Sequence, residues 1–168
     1  VVFDELPFHD QLTPLQLGNI LAGIFSSWDS GCFTNYLERF SLPQKKKIAT
    51  FSKGMKRQAA IILALSCQPK YLLLDEAFSA LDYQTRVSVS CDVYEILRRE
   101  NKTMVMVTHD IPEAVAMSDR VVVLSKRPAV VAKTVEIDFG TNRPNPIGVR
   151  GHPLFQQYFN TIWKELLL

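Results

Sequence analysis

Asp75 and Glu76 stand side by side at the end of the apolar run Tyr71-Leu72-Leu73-Leu74. In such a doublet one carboxylate can support a magnesium ion while its neighbour orients and deprotonates an attacking water, the chemistry of nucleotide hydrolysis. The same pair also reads as plain acidic charge ahead of a helix. Further along, the strand-like Thr103–Val107 delivers Thr108-His109-Asp110. There an imidazole could touch a terminal phosphate, or it could cap the strand end without doing chemistry. Upstream, Phe51-Ser52-Lys53-Gly54-Met55 opens a long apolar helix with a hydroxyl, a lysine and a glycine. A helix start of that kind holds an anion, an effect of roughly 0.3 to 2 kcal/mol. Its alternative is an ordinary Ser-capped helix with solvated lysines.

These groups need scaffolding, and the pattern supplies it. Thr13 precedes Pro14 and an apolar stripe of Leu15, Ile20, Leu21 and Ile24, which predicts a capped helix with proline at its first position. A second helix is expected over Cys32 to Leu42, ending before Pro43, and the basic stretch Gln44–Thr50 reads as a loop. The helix opened by Ser52 should stop near Gln68-Pro69. Beyond it the texture alternates: a buried strand at Tyr71–Leu74, a helix from about Tyr83 to Glu100, a strand at Thr103–Val107, a short helix around Pro112–Met117 and a strand at Arg120–Leu124. That order predicts an α/β fold with an open, mostly parallel sheet flanked by helices and functional groups gathered where strands end. Val130–Ile137 reads as a further strand, Gly140–His152 as a loop and Pro153–Leu168 as a terminal amphipathic helix.

Composition limits the function classes. The chain has 168 residues, 47% hydrophobic and 21% charged, which suits a packed core and excludes a disordered or collagen-like chain. A net charge of +2 is too small to argue for a nucleic-acid partner from bulk electrostatics. Cys32, Cys67 and Cys91 form no CxxC pair and read as reduced, structural thiols of a cytosolic compartment. No apolar run is long enough for a membrane span and the first residues lack a signal-peptide pattern, so a chain neither secreted nor membrane-spanning is expected. The opening Val1-Val2-Phe3 reads as if already inside a strand, and we expect a missing beginning.

Taken together and in order, FSKGMKRQ, YLLLDEAFSALD and VMVTHD resemble the ATP-binding cassette (ABC) ATPases, where they look like the signature motif, the Walker B strand with its D-loop, and the switch histidine. The resemblance covers nearly the whole chain. It implies a P-loop NTPase-like parallel sheet with a helical signature subdomain over about 10–68, an α/β core over 69–139 and a C-terminal loop and helix over 140–168. It implies ATP and Mg2+ as cofactors, with Asp75 supporting the metal through water, Glu76 as general base and His109 sensing the γ-phosphate. Ser52, Lys53 and Gly54 would meet a nucleotide held mainly by the opposite subunit, and Asp82 would lie at the subunit junction. The implied partners are a second ATPase subunit, identical or paired, and membrane-spanning permease subunits, with no nucleic acid. The implied location is peripheral, on the cytoplasmic face of the membrane.

The sequence also departs from that pattern. Nowhere does it contain GxxxxGK followed by Ser or Thr, the phosphate-cradling loop called Walker A, so the N-terminal part of the fold is expected to be missing and the isolated chain to be inactive. Asp4, beside Glu5, falls where the family usually has the Q-loop glutamine. In the signature, Lys53 replaces a second Gly, Met55 replaces Gln, and Arg57-Gln58 reverses the usual order. Phrases up to about Phe78 look like exporter-type ATPases, whereas SALDYQTR through the closing PLFQQYFNTIWKEL is similar to ATPases of nitrate, sulfonate and taurine importers. Three other readings are a nucleic-acid-dependent ATPase, from the DEAF box and the cluster Lys45, Lys46, Lys47, Lys53, Lys56 and Arg57, a cassette ATPase of repair or translation without a permease, and a non-catalytic interaction module keeping only the fold.

Overall fold

The computed structural model describes residues 10–167; Asp4 lies outside them. The chain divides into two compact units. The first reaches Val89 and takes in Leu97–Val107, and the second comprises Ser90–Ile96 and the described residues from Thr108 onward.

The first unit opens with three helices, each started by a side chain that satisfies an orphan N–H of the first turn. Helix α1 (Pro14–Ile24) carries a full capping box: Thr13 Oγ1 accepts from Gln16 N at 3.3 Å, and Gln16 Oε1 accepts from Thr13 N at 2.9 Å. Helix α2 (Ser30–Arg39) starts two residues before the expected Cys32, because Asp29 Oδ1 accepts from Cys32 N at 2.8 Å and so caps a turn that includes Gly31. The two helices approach closely at Gly18, where a Cβ would come 2.5 Å from the Phe33 ring. The expected loop before Phe51 contains a short 3-10 turn, Ile48–Thr50, pinned by the buried Ile48. Helix α3 (Lys53–Ser66) follows, capped by Ser52, with Ile61, Ile62 and Leu65 almost wholly buried.

Strand β1 (Tyr71–Asp75) pairs in parallel with β2 (Thr103–Val107), Leu74 opposite Met106 and Asp75 opposite Val107. Leu72 and Leu74 point into the core with Phe78, Leu17, Leu37 and Ile48. Burying each such side chain stabilises by roughly 1.5–3 kcal/mol. The alternate positions Tyr71, Val105 and Val107 are exposed. Between the strands runs α4 (Tyr83–Arg99), closed by a C-terminal turn in which Asn101 takes φ of +50°.

The second unit holds α5 (Ile111–Met117), β3 (Arg120–Leu124), β4 (Val131–Glu136), a 3-10 turn at Gly148–Gly151 and α6 (Phe155–Leu166). Here β3 and β4 pair antiparallel, unlike the parallel β1–β2 pair, because the connection Ser125–Val130 is too short for a crossover and turns back directly. Arg143 ties the unit together: its Nη1 donates to Asp119 Oδ1 at 2.9 Å, Nη2 donates to Ala116 O at 3.0 Å at the end of α5, and the guanidinium lies over the Tyr94 and Phe139 rings. Among the described residues, no helix is long and apolar enough to cross a membrane.

Candidate active site

Glu76 leaves β1 in the left-handed region, with φ of +47°. The other non-glycine residues with positive φ among those described, Ser41, Gln68 and Asn101, each follow the end of a helix, where such a backbone closes the last turn. Glu76 follows a strand instead, and a non-glycine residue there is held by what surrounds it. Its N–H donates to Val107 O at 2.9 Å, continuing the ladder with β2. Its carbonyl accepts from Ser79 Oγ at 2.8 Å, from Ser79 N at 3.1 Å and from Arg57 Nη2 at 3.1 Å. The chain therefore turns sharply straight after the doublet, with the exposed Asp75 and the half-buried Glu76 at the carboxyl end of β1.

The segment from Ala77 to Asp82 is fixed from below and behind. Ala77, Phe78 and Leu81 are buried, and Arg86 Nη2 reaches back from α4 to Leu81 O at 3.2 Å. Asp82 caps α4: its Oδ1 accepts from Thr85 N at 3.0 Å, and its carbonyl accepts from Arg86 N at 2.8 Å. The hydrogen bonding to Thr85 holds the Asp82 carboxyl below the ordinary value of 3.8. The sign follows: a depressed folded value stabilises above the unfolded one, and that stabilisation is lost as pH falls through the folded one. The difference in melting temperature between the parent and Asp82→Ala should thus be largest near neutral pH and shrink on acidification below pH 4; thermal melts across that range would measure it.

The start of α3 lies against this segment. Ser52 Oγ accepts from Met55 N at 3.2 Å, and the amides of Lys53 and Gly54 have no partner within the helix ladder. A Cβ on Gly54 would sit 3.1 Å from Leu81 Cδ2 and 3.7 Å from Ala80 O. Ser52 and Lys53 are exposed. The first unit thus gathers Ser52, Lys53, Gly54, Asp75, Glu76 and Asp82, with the helix tip seated directly on the turn before Asp82. His109 belongs to the second unit, exposed and two residues past β2, where Asp110 caps α5 by accepting from Glu113 N at 2.9 Å.

Chemically, the arrangement offers an exposed and a half-buried carboxylate side by side and an anion-attracting helix tip. Among the described residues no three His, Cys, Asp or Glu side chains stand close enough to hold a metal. A cation at Asp75 would take its remaining ligands from water and phosphate oxygens, which suits magnesium. The cysteines do not contribute: burial pushes the thiols of Cys32, Cys67 and Cys91 up, away from the reactive thiolate. Arg57, which its sequence neighbours place in a basic cluster, is instead buried. It is 3% exposed, one and two turns from the buried Ile61 and Leu65 on the same face of α3, and that spacing was the available signal.

The ABC transporter family model matches residues 1–79. An uncharacterised ABC transporter ATP-binding protein of Bacillus subtilis, YtlC, is 43% identical over 73% of this chain and 47% of its own length. The chain belongs to the ABC family of ATP-binding cassettes. The nitrate transport protein NasD of Klebsiella oxytoca is 38% identical over 71% of the cassette chain and 47% of its own length. The dimeric ATP-binding cassette MJ0796, solved with ADP and Pi, superposes with a TM-score of 0.67 at 26% identity, covering 83% of this chain and 62% of that one. The cassette segment described here spans about half the length of these curated relatives, 47% of each.

Proposed function

We propose that the protein containing this segment is the ATP-hydrolysing subunit of an ABC transporter, and that it acts as a pair of subunits in which each nucleotide is shared. The observation that carries the reading is the seating of the Ser52–Gly54 helix tip on Ala80 and Leu81 in the same unit that places Asp75 and Glu76 at the end of β1. In this reading Asp75 would hold Mg2+ through water, and the metal when bound would supply neutralisation of phosphate charge. Glu76 takes the proton of the attacking water, His109 contacts the γ-phosphate, and Ser52, Lys53 and Gly54 meet the nucleotide of the opposite subunit. Asp82 lies where the two subunits join, and Asp4 stands for the usual glutamine upstream.

The segments 10–68, 69–139 and 140–168 then serve as signature subdomain, catalytic core and C-terminal element. The protein would work at the cytoplasmic face of the membrane against permease subunits and without nucleic acid. The names of NasD and of the nitrate import ATP-binding protein NrtD of Synechocystis, 36% identical over 66% of this chain, speak of nitrate and favour the importer reading of the closing segment, within the nitrate, sulfonate or taurine type. Against the nucleic-acid reading, the burial of Arg57 removes a charge from the basic cluster.

Calorimetric titration tests the shared-nucleotide arrangement. The 168 residues alone carry no GxxxxGK[ST] loop and should bind MgATP more weakly than about 1 mM, while the full-length protein binds it readily. Tight binding to the isolated monomer would contradict the arrangement.

A further inference from the structure

The carbonyl of Glu76 is the meeting point of two side chains from different elements. Arg57 Nη2 reaches it from α3 at 3.1 Å, and Ser79 Oγ closes on it at 2.8 Å. The residue they hold is the one described non-glycine with positive φ that does not follow a helix. Arg57 is 3% exposed on the face of α3 that also carries Ile61 and Leu65. Burying a guanidinium there carries a desolvation cost that a leucine would not, so packing alone does not account for it.

We propose that Arg57 is a positioning residue for Glu76, with Ser79 as its accessory: together they hold the peptide after Glu76 in its left-handed turn, and through it the direction of the Glu76 side chain. A return of φ to the extended region would swing the Cα–Cβ bond away from its present course, and catalysis is sensitive to displacements of about 1 Å, which cost on the order of 100-fold. The inference rests on the reading of Glu76 as general base.

The test uses the full-length protein and follows kcat, KM for MgATP and the melting temperature. Arg57→Gln should lower kcat about 10- to 100-fold with KM within about threefold, since positioning acts on the chemical step. Arg57→Lys keeps a charged donor and should recover most of the loss. In a Glu76→Gln background, Arg57→Gln should cost nothing more, because a positioner without its base has nothing left to position. Parent kcat in Arg57→Gln, or a full additive loss in the double variant, would overturn the proposal. Should Arg57→Gln fail to fold, Ser79→Ala decides, since Ser79 is exposed and its loss leaves the core intact. It should lower kcat about three- to tenfold with only a small drop in melting temperature, as loss of one charge-neutral hydrogen bond implies, and parent kcat there would equally overturn the proposal. Parent turnover in Glu76→Gln alone would instead strike the general-base reading, which separates the two failures.

Discussion

Replacing Glu76 by Gln in the full-length protein should lower ATP turnover about 100- to 10,000-fold, the usual contribution of a positioned general base. That corresponds to about 3–5 kcal/mol of transition-state stabilisation. The contacts that shape this turn use the main chain of residue 76. The N–H to Val107 and the carbonyl to Arg57 and Ser79 survive when only the carboxylate becomes an amide. KM for MgATP and the melting temperature should therefore stay near the parent values, and steady-state kinetics beside a thermal melt would check both. A variant turning over at the parent rate would remove Glu76 from the role of base.

The second large effect is expected at Gly54. An aspartate there places a carboxylate where the proposed site receives phosphate, and like charges brought together cost several kcal/mol. Gly54→Asp should lower kcat/KM about 100- to 1,000-fold, the range for losing a preorganised contact to developing charge. The fold should tolerate it. An acidic residue in the first turn of α3 suits the helix dipole, and the atom a new Cβ meets, Leu81 Cδ2 at 3.1 Å, is the end of a flexible side chain. Gly54→Ala adds the same Cβ without the charge and should cost only a few-fold, which separates crowding from electrostatics. Equal loss in both variants would show that space, not charge, is what Gly54 provides.

Much of this arrangement is legible in the residues themselves. Thr13-Pro14 and Ser52 mark helix starts because a cap is a local interaction of neighbours, and the structure places α1 and α3 where those signals put them. Tyr71–Leu74 reads as a strand because its apolar run breaks at two carboxylates, and β1 ends at Asp75, but of the expected burial only Leu72 and Leu74 have it in full. What was not legible is partly masked by local signals that oppose one another and partly dependent on partners far away in sequence. Asp29 as a cap is hidden by Gly31, which makes the first turn of α2 look like a loop. The backbone of Glu76 is set by Val107 and Arg57, neither of them a sequence neighbour, and no local propensity announces positive φ in a glutamate. Arg57 carries two opposed local signals: its charge suggests solvent, while its spacing from Ile61 and Leu65 puts it inside. The antiparallel return of β4 follows from the length of the Ser125–Val130 connection, which an expectation of alternating strands and helices does not weigh.

Mixing the two inactive variants measures the central claim most directly. If each nucleotide lies between the carboxylates of one copy and the α3 tip of another, a dimer of one Glu76→Gln copy and one Gly54→Asp copy contains one site with both defects and one with neither. Equal amounts of the two full-length proteins, allowed to exchange subunits, should recover about a quarter of the parent ATPase rate, since half of the dimers are mixed and each has one sound site of two. A mixture no more active than the sum of its separate components would place both groups at a nucleotide within one copy, and would contradict the account.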